Sequence, residues 1–349
     1  MSYFRPAIDA TSGYIPGEQP KPGTPFLKLN TNENPYPPSP QAIQVLRSLD
    51  SEWLRRYPDP YAKSFCQAVS RVLAVPPDWV IVGNGSDELL NVIIRACAEG
   101  GDRPVVYPMP TYVLYRTLAA LHPATAIEVP YGENFQLPLE ALVAAQGAVT
   151  FIASPNSPSG HVVPLTQLRE LAAQLAGVLV VDEAYVDFAE SSALPLVHEF
   201  ENVIVLRTLS KGYSLAGLRL GFGVAQPSLL AGLFKVKDSY NIDAIATQVA
   251  TAAMQDQAYK NACAAKVKAA RAQLTLDLKN LGFAVLESQG NFVLSAPPAG
   301  NAAYLQAALK QRGVLVRYFD QPGLADKLRI TVGTPAQNQM LLEALVSLI

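Results

Sequence analysis

Between Trp79 and Lys211 short apolar runs recur at the spacing of a strand, a helix and a turn. Val80-Ile81-Val82, Pro104-Val105-Val106-Tyr107, Ala126-Ile127-Glu128-Val129, Val149-Thr150-Phe151-Ile152-Ala153, Val178-Leu179-Val180-Val181 and Val203-Ile204-Val205-Leu206 are dense in branched apolar residues, as strands covered on both faces are. The pattern between them predicts helices over 87–98, 112–121 and 166–175. This βα alternation implies an α/β fold, a mostly parallel sheet with helices on both faces. The loops that follow its strands then share one edge, where open α/β sheets place their ligands.

The flanks read differently. Ten prolines and glycines between Pro16 and Pro40 rule out a long helix there and predict an extended arm. After Gln226 come Ala-rich helical stretches over 244–255 and 258–281. Strands follow near 284–286, 291–294, 314–316 and 328–331, with helices over 302–312 and 335–348, which suggests a smaller α+β domain. The expected division is an arm at 1–30, a large domain at 31–244 and a small domain at 245–349.

Composition narrows the function. The 27 basic and 29 acidic side chains nearly cancel and neither sign forms a block, so nothing marks a nucleic-acid or anionic-membrane partner. Cys66, Cys97 and Cys263 are scattered, and so are His122, His161 and His198, which argues against disulfides, a metal site or a histidine-based triad. The start Met1-Ser2-Tyr3-Phe4-Arg5-Pro6 lacks the pattern of an export signal, and no apolar run reaches transmembrane length. A soluble cytoplasmic protein acting on small molecules is the expectation.

Five strand exits carry chemistry. Thr208-Leu209-Ser210-Lys211-Gly212 places one lysine among hydroxyls, with Arg219 eight positions on. The amine can form a Schiff base, while Thr208, Ser210 and Arg219 make a donor set for a phosphate monoester. Gly83-Asn84-Gly85-Ser86-Asp87-Glu88 turns from strand to helix and reads either as an anion cup or as an ordinary helix start. Asp182 ends a strand and Tyr185 follows. The carboxylate can hold a ring nitrogen protonated and the phenol can bond a ring oxygen, although a strand-terminal Asp also serves as a helix cap. Asn156, in the Ser154-Pro155-Asn156-Ser157-Pro158 turn, could bond the same ring oxygen. Tyr112, one of 15 tyrosines, could stack on a flat ring.

Together, Ser210-Lys211-Gly212, Asp182 with Tyr185, the Asn156 turn and Arg219 resemble the pyridoxal 5′-phosphate (PLP) aminotransferases of fold type I. Leu29-Asn30-Thr31-Asn32-Glu33-Asn34-Pro35, Arg56-Tyr57-Pro58-Asp59-Pro60 and Leu328-Arg329-Ile330-Thr331-Val332-Gly333 are similar to the histidinol-phosphate branch of that family. The resemblance implies that Lys211 carries PLP, Asp182 pairs with its ring nitrogen, and Tyr185 with Asn156 bonds its ring oxygen. Tyr112 would stack on the ring. The backbone amides of Ser86 and Asp87, with Thr208, Ser210 and Arg219, would hold the phosphate, joined by Tyr57 from the second subunit of a homodimer. Arg329 would take the carboxylate of glutamate, Arg317 with Arg329 the phosphate of histidinol phosphate, and Tyr14 in the arm would close over it. Arg317 also reads as a solvated strand-end charge. The implied reaction moves the amino group of L-histidinol phosphate to 2-oxoglutarate. Aromatic aminotransferases and threonine-phosphate decarboxylase share much of the pattern, and an effector-binding module of a transcription regulator would need an attached basic domain that is not seen before residue 30.

Overall fold

The computed structural model describes residues 2–11, 13, 17–20, 23, 25–98, 103–122 and 124–349. Its central sheet has seven strands: β1 (Val80–Gly83), β2 (Val105–Met109), β3 (Ala126–Pro130), β4 (Val149–Ala153), β5 (Val178–Asp182), β6 (Val203–Thr208) and β7 (Gly221–Ala225). They lie in the order β1-β7-β6-β5-β4-β2-β3. Only β7 runs against its neighbours. The other pairings are parallel, as the apolar runs predict. The glycine-rich start Gly221-Phe222-Gly223 hides β7 from pattern reading.

Alternation along each strand divides the core into two layers. Val106, Ile152, Val181 and Val205 pack with the helices Lys63–Leu73, Leu165–Gln174 and Ala244–Gln255. Val105, Phe151, Val180 and Ile204 pack with Ser86–Cys97, Leu114–Leu121 and Pro227–Val236. Both faces are thus covered, which leaves ligands the carboxyl edge of the sheet.

A second, antiparallel sheet contains β8 (Ala284–Val285), β9 (Phe292–Ala296), β10 (Arg317–Tyr318) and β11 (Leu328–Thr331), in the order β10-β11-β9-β8. The helices Gln257–Asn280, Ala302–Gln311 and Pro335–Val346 bury their apolar residues in its core. Val314–Leu315, expected among the small-domain strands, pairs instead in parallel with Leu27–Lys28. The arm therefore ends as a strand. From there it continues against β11: Thr331 N–H donates to Leu29 O and Asn32 N–H to Thr331 Oγ1, both at 2.9 Å. That route carries Asn30–Asn34 between the two sheets and into the open edge. Among the described residues no helix is long and apolar enough to cross a membrane.

Candidate active site

A pocket of about 500 Å³ opens at the carboxyl ends of the strands. Thr208 ends β6 opposite Gly221 of the antiparallel β7, and Asp182 ends β5 beside Ala153 of the parallel β4, so strand register brings distant residues together. At one end of the pocket the helix from Ser86 presents the unpaired N–H groups of its first turn. Thr208 Oγ1 donates to Ser210 Oγ at 3.0 Å, and Arg219 approaches the same hydroxyl at 3.4 Å. Arg219 also reaches Asp87 Oδ2 at 3.5 Å. Gly85 has φ +77°, and a β-carbon there would strike the Arg219 guanidinium, so glycine is what lets cation and helix end converge. Hydroxyls, helix amides and a guanidinium form a donor set for a phosphate monoester.

Farther in, Asp182 is buried, and burial pushes its carboxyl up to about 6 from the ordinary 3.8, against the opposing pull of a hydrogen bond from Tyr115. Tyr185 lines the pocket three residues on, and its hydroxyl accepts from Asn32 Nδ2 at 2.9 Å, which leaves its own proton to donate. Tyr112 lines the wall edge-on to Tyr115, with ring centroids 5.7 Å apart. Asn156 sits differently. It is fully buried behind the Pro155-Ser157-Pro158 wall, its amide donates to Pro110 O at 3.1 Å and Ser159 Oγ at 2.8 Å, and Thr111 donates to its oxygen at 2.6 Å.

Lys211 projects its amine into the pocket, where Nζ donates to Thr31 O at 3.2 Å and lies 5.7 Å from the Tyr185 ring centre. Its backbone is pinned from behind. Asn34 Nδ2 donates to the carbonyls of Lys211 (3.0 Å) and Gly212 (3.3 Å), while Asp187, ion-paired with Lys260 at 3.0 Å, fills the space a side chain at 212 would need. The lysine loop is thus set by the arm, by β5's exit and by the helix Gln257–Asn280.

At the mouth, Arg317 and Arg329 face each other across β10 and β11, and both line the pocket with Phe319. Arg329 donates to Ser157 Oγ and Asn30 O, each at 2.9 Å. Arg317, which also reads from sequence as a solvated charge, is half-buried at this mouth. Tyr57 is elsewhere: it is 82% exposed and stacks on Tyr240 at 4.6 Å, away from this chain's own pocket lining. Tyr14 lies outside the described residues.

Pattern reading assigned no role to Asn32, Asn34, Tyr115 or Phe319. Asn32 and Asn34 stand in the Asn30–Asn34 stretch that carries the resemblance, yet their targets lie more than 150 positions away. Tyr115 had no signal beyond the apolar face of its helix.

Comparison with known proteins identifies the family. The family model for aminotransferase class I and II matches residues 24–345. Histidinol-phosphate aminotransferase 1 of Trichormus variabilis is 66% identical, covering 100% of this chain and 99% of the relative. Histidinol-phosphate aminotransferase of Rhodopirellula baltica is 46% identical over 96% and 92%. Among solved structures, histidinol-phosphate aminotransferase from Sinorhizobium meliloti in complex with PLP superposes with a TM-score of 0.89 at 28% identity, covering 100% and 99% of the two chains. The chain belongs to the class I and II aminotransferases.

Proposed function

We propose that this chain transfers the amino group of L-histidinol phosphate to 2-oxoglutarate, giving imidazole acetol phosphate and glutamate, with PLP as cofactor. The observation that carries the reading is the gathering of a lysine amine, a buried carboxylate and two arginines around one pocket with a phosphate donor set at its end. These residues fit the cofactor. A carboxylate held at about 6 by burial has a use for a cationic partner, and a protonated pyridine nitrogen is one.

Bound PLP would supply an aldehyde to capture amines and a ring into which the electrons of a breaking C–H bond can spread. The chain would do the rest. Ser86 and Asp87 amides, Thr208, Ser210 and Arg219 bind the phosphate end. Asp182 keeps the ring nitrogen protonated, Tyr185 donates toward the ring oxygen with Asn156 behind it, and Tyr112 offers its ring as a flat support. The Lys211 amine takes the proton from the substrate carbon and returns it one position away, a role suited to a tethered base. Arg329 binds the carboxylate of glutamate, Arg317 with Arg329 binds a substrate phosphate, and Tyr14 closes over it.

The reading includes a homodimer in which Tyr57 completes the partner's phosphate site. Its support is the exposed, stacked pair of Tyr57 and Tyr240 on a chain whose own pocket Tyr57 does not line. The unbridged Cys66, Cys97 and Cys263 suit a cytoplasmic setting. Steady-state comparison of histidinol phosphate, phenylalanine and phosphothreonine as donors to 2-oxoglutarate tests the substrate. Preference for phenylalanine would overturn the reading, and release of carbon dioxide from phosphothreonine would replace transamination by decarboxylation.

A further inference from the structure

Two guanidinium groups set opposite each other on adjacent strands repel, so something must hold them there. Arg329 is held by Ser157 and Asn30 and packs on the Phe292 ring at 5.5 Å. Arg317 is held in another way. Among the described residues it makes no ion pair and no side-chain hydrogen bond, and its guanidinium carbon lies 5.3 Å from the centre of the Phe319 ring. The same ring lies 5.5 Å from the guanidinium of Arg329. One aromatic side chain at the pocket mouth therefore contacts both cations.

The nature of that tether matters. A carboxylate in its place would also fix Arg317, but it would occupy the N–H groups and cancel the charge that an anionic substrate needs. The face of an aromatic ring attracts a guanidinium without taking its in-plane donors. We propose that Phe319 is a specificity-determining residue, holding Arg317 beside Arg329 with its donors open, so that the mouth accepts a phosphate dianion where Arg329 alone serves a carboxylate. The inference rests on the donor reading given above.

The test uses the holoenzyme and four variants: Phe319→Leu, of similar bulk without the ring face, Phe319→Tyr, which keeps it, Arg317→Ala, and Phe319→Leu combined with Arg317→Ala. Phe319 is half-buried at the mouth and outside the core clusters, so folding is not at stake. Phe319→Leu is expected to raise KM for histidinol phosphate about five- to tenfold, the scale of a partly desolvated cation–π contact, with kcat and the glutamate constants changed less than about twofold. Phe319→Tyr should behave as wild type, and the Leu change should add no selective loss once Arg317 is gone. Equal losses for both substrates, unchanged selectivity in Phe319→Leu, or full additivity in the double variant would overturn the proposal.

Calorimetric titration with 3-(imidazol-4-yl)propyl phosphate, which lacks the amine and cannot react, separates this inference from the donor reading. Weaker binding in Phe319→Leu, only while Arg317 is present, supports the ring's role even if phenylalanine proves the better donor. Unaltered binding rejects that role even if histidinol phosphate is the substrate.

Discussion

The hydroxyl of Tyr115 donates a 2.7 Å hydrogen bond to Asp182 Oδ2, and both side chains are buried. The other carboxylate oxygen accepts the Ala184 N–H at 3.1 Å. Tyr115 is itself clamped, stacked on Phe151 with centroids 4.8 Å apart and planes within 10°. Burial raises its phenol well above the usual range, so it stays a donor. Asp182 therefore cannot rotate freely at the foot of the pocket, and Tyr115 acts as its positioning residue.

Tyr115→Phe removes that donor while keeping the stacked ring. Cofactor affinity is expected to fall about tenfold or more, the scale of a hydrogen bond to a charged group. Fluorescence titration of the cofactor-free protein with PLP measures it. Unchanged affinity together with an unchanged pH dependence of the bound cofactor's absorbance would reject the positioning role.

Asp182 also leaves a signature without cofactor. Its carboxyl sits at about 6 when folded against an ordinary 3.8, so between these values the folded state binds more protons than the unfolded. Its contribution is most favourable below about pH 4 and is lost as pH rises through 6, by about 3 kcal/mol in all. Asp182→Asn in the cofactor-free protein should thus gain Tm relative to wild type at pH 8, with the gain vanishing near pH 4. His161 works in the opposite direction: burial lowers it to about 4, so its contribution is present above 6.5 and lost as pH falls through 4. The two slopes offset each other in wild type, and His161→Gln should expose the Asp182 slope. Parallel Tm curves for wild type and Asp182→Asn from pH 4 to 8 would remove the argument.

The legibility of the site follows from how its parts are encoded. Asp182 and Lys211 each follow an apolar run, and parallel register then aligns their strand ends without further information, so local pattern suffices there; the Ser86 turn also follows an apolar run, but its strand reaches the others through the antiparallel β7. Strand β7 escaped because Gly221 and Gly223 dilute its apolar character. Leu27–Lys28 pairs with Val314–Leu315 across some 287 positions, and two short edge segments carry no sequence signal for each other. Tyr115 and Phe319 were silent for a related reason. A tyrosine on the apolar face of a helix and a phenylalanine at a strand end look like core until the carboxylate or the guanidinium beside them is seen.

Lys211 is the sharpest single-residue case. Its amine enters the pocket while Asn34 and Asp187 fix its backbone, so the side chain can change state without moving the loop. Borohydride reduction in the presence of PLP, followed by peptide mapping, should label Lys211; a label on any other lysine would reject the assignment. Lys211→Ala should lose at least about 100-fold in turnover, the lower end for a positioned proton-transfer group, and stopped-flow absorbance should place the loss in the proton-transfer step.

Tyr57 puts the shared site to a test that only a dimer can pass. In one chain the residue is 82% exposed, its ring stacked on Tyr240 and outside the pocket lining, so it has no work to do at home. If it reaches the partner's phosphate, Lys211→Ala subunits mixed with Tyr57→Phe subunits form hybrids in which one site combines an intact lysine with an intact Tyr57 from the other chain. Random exchange makes half the dimers hybrid, each with one good site, so activity should recover to about a quarter of wild type at limiting PLP. A Tyr57 that serves its own subunit predicts no recovery, because every intact lysine would then sit beside a phenylalanine. Subunit exchange demonstrated by mass spectrometry without recovered activity would refute sharing, and a monomer by sedimentation at working concentration would refute the dimer itself.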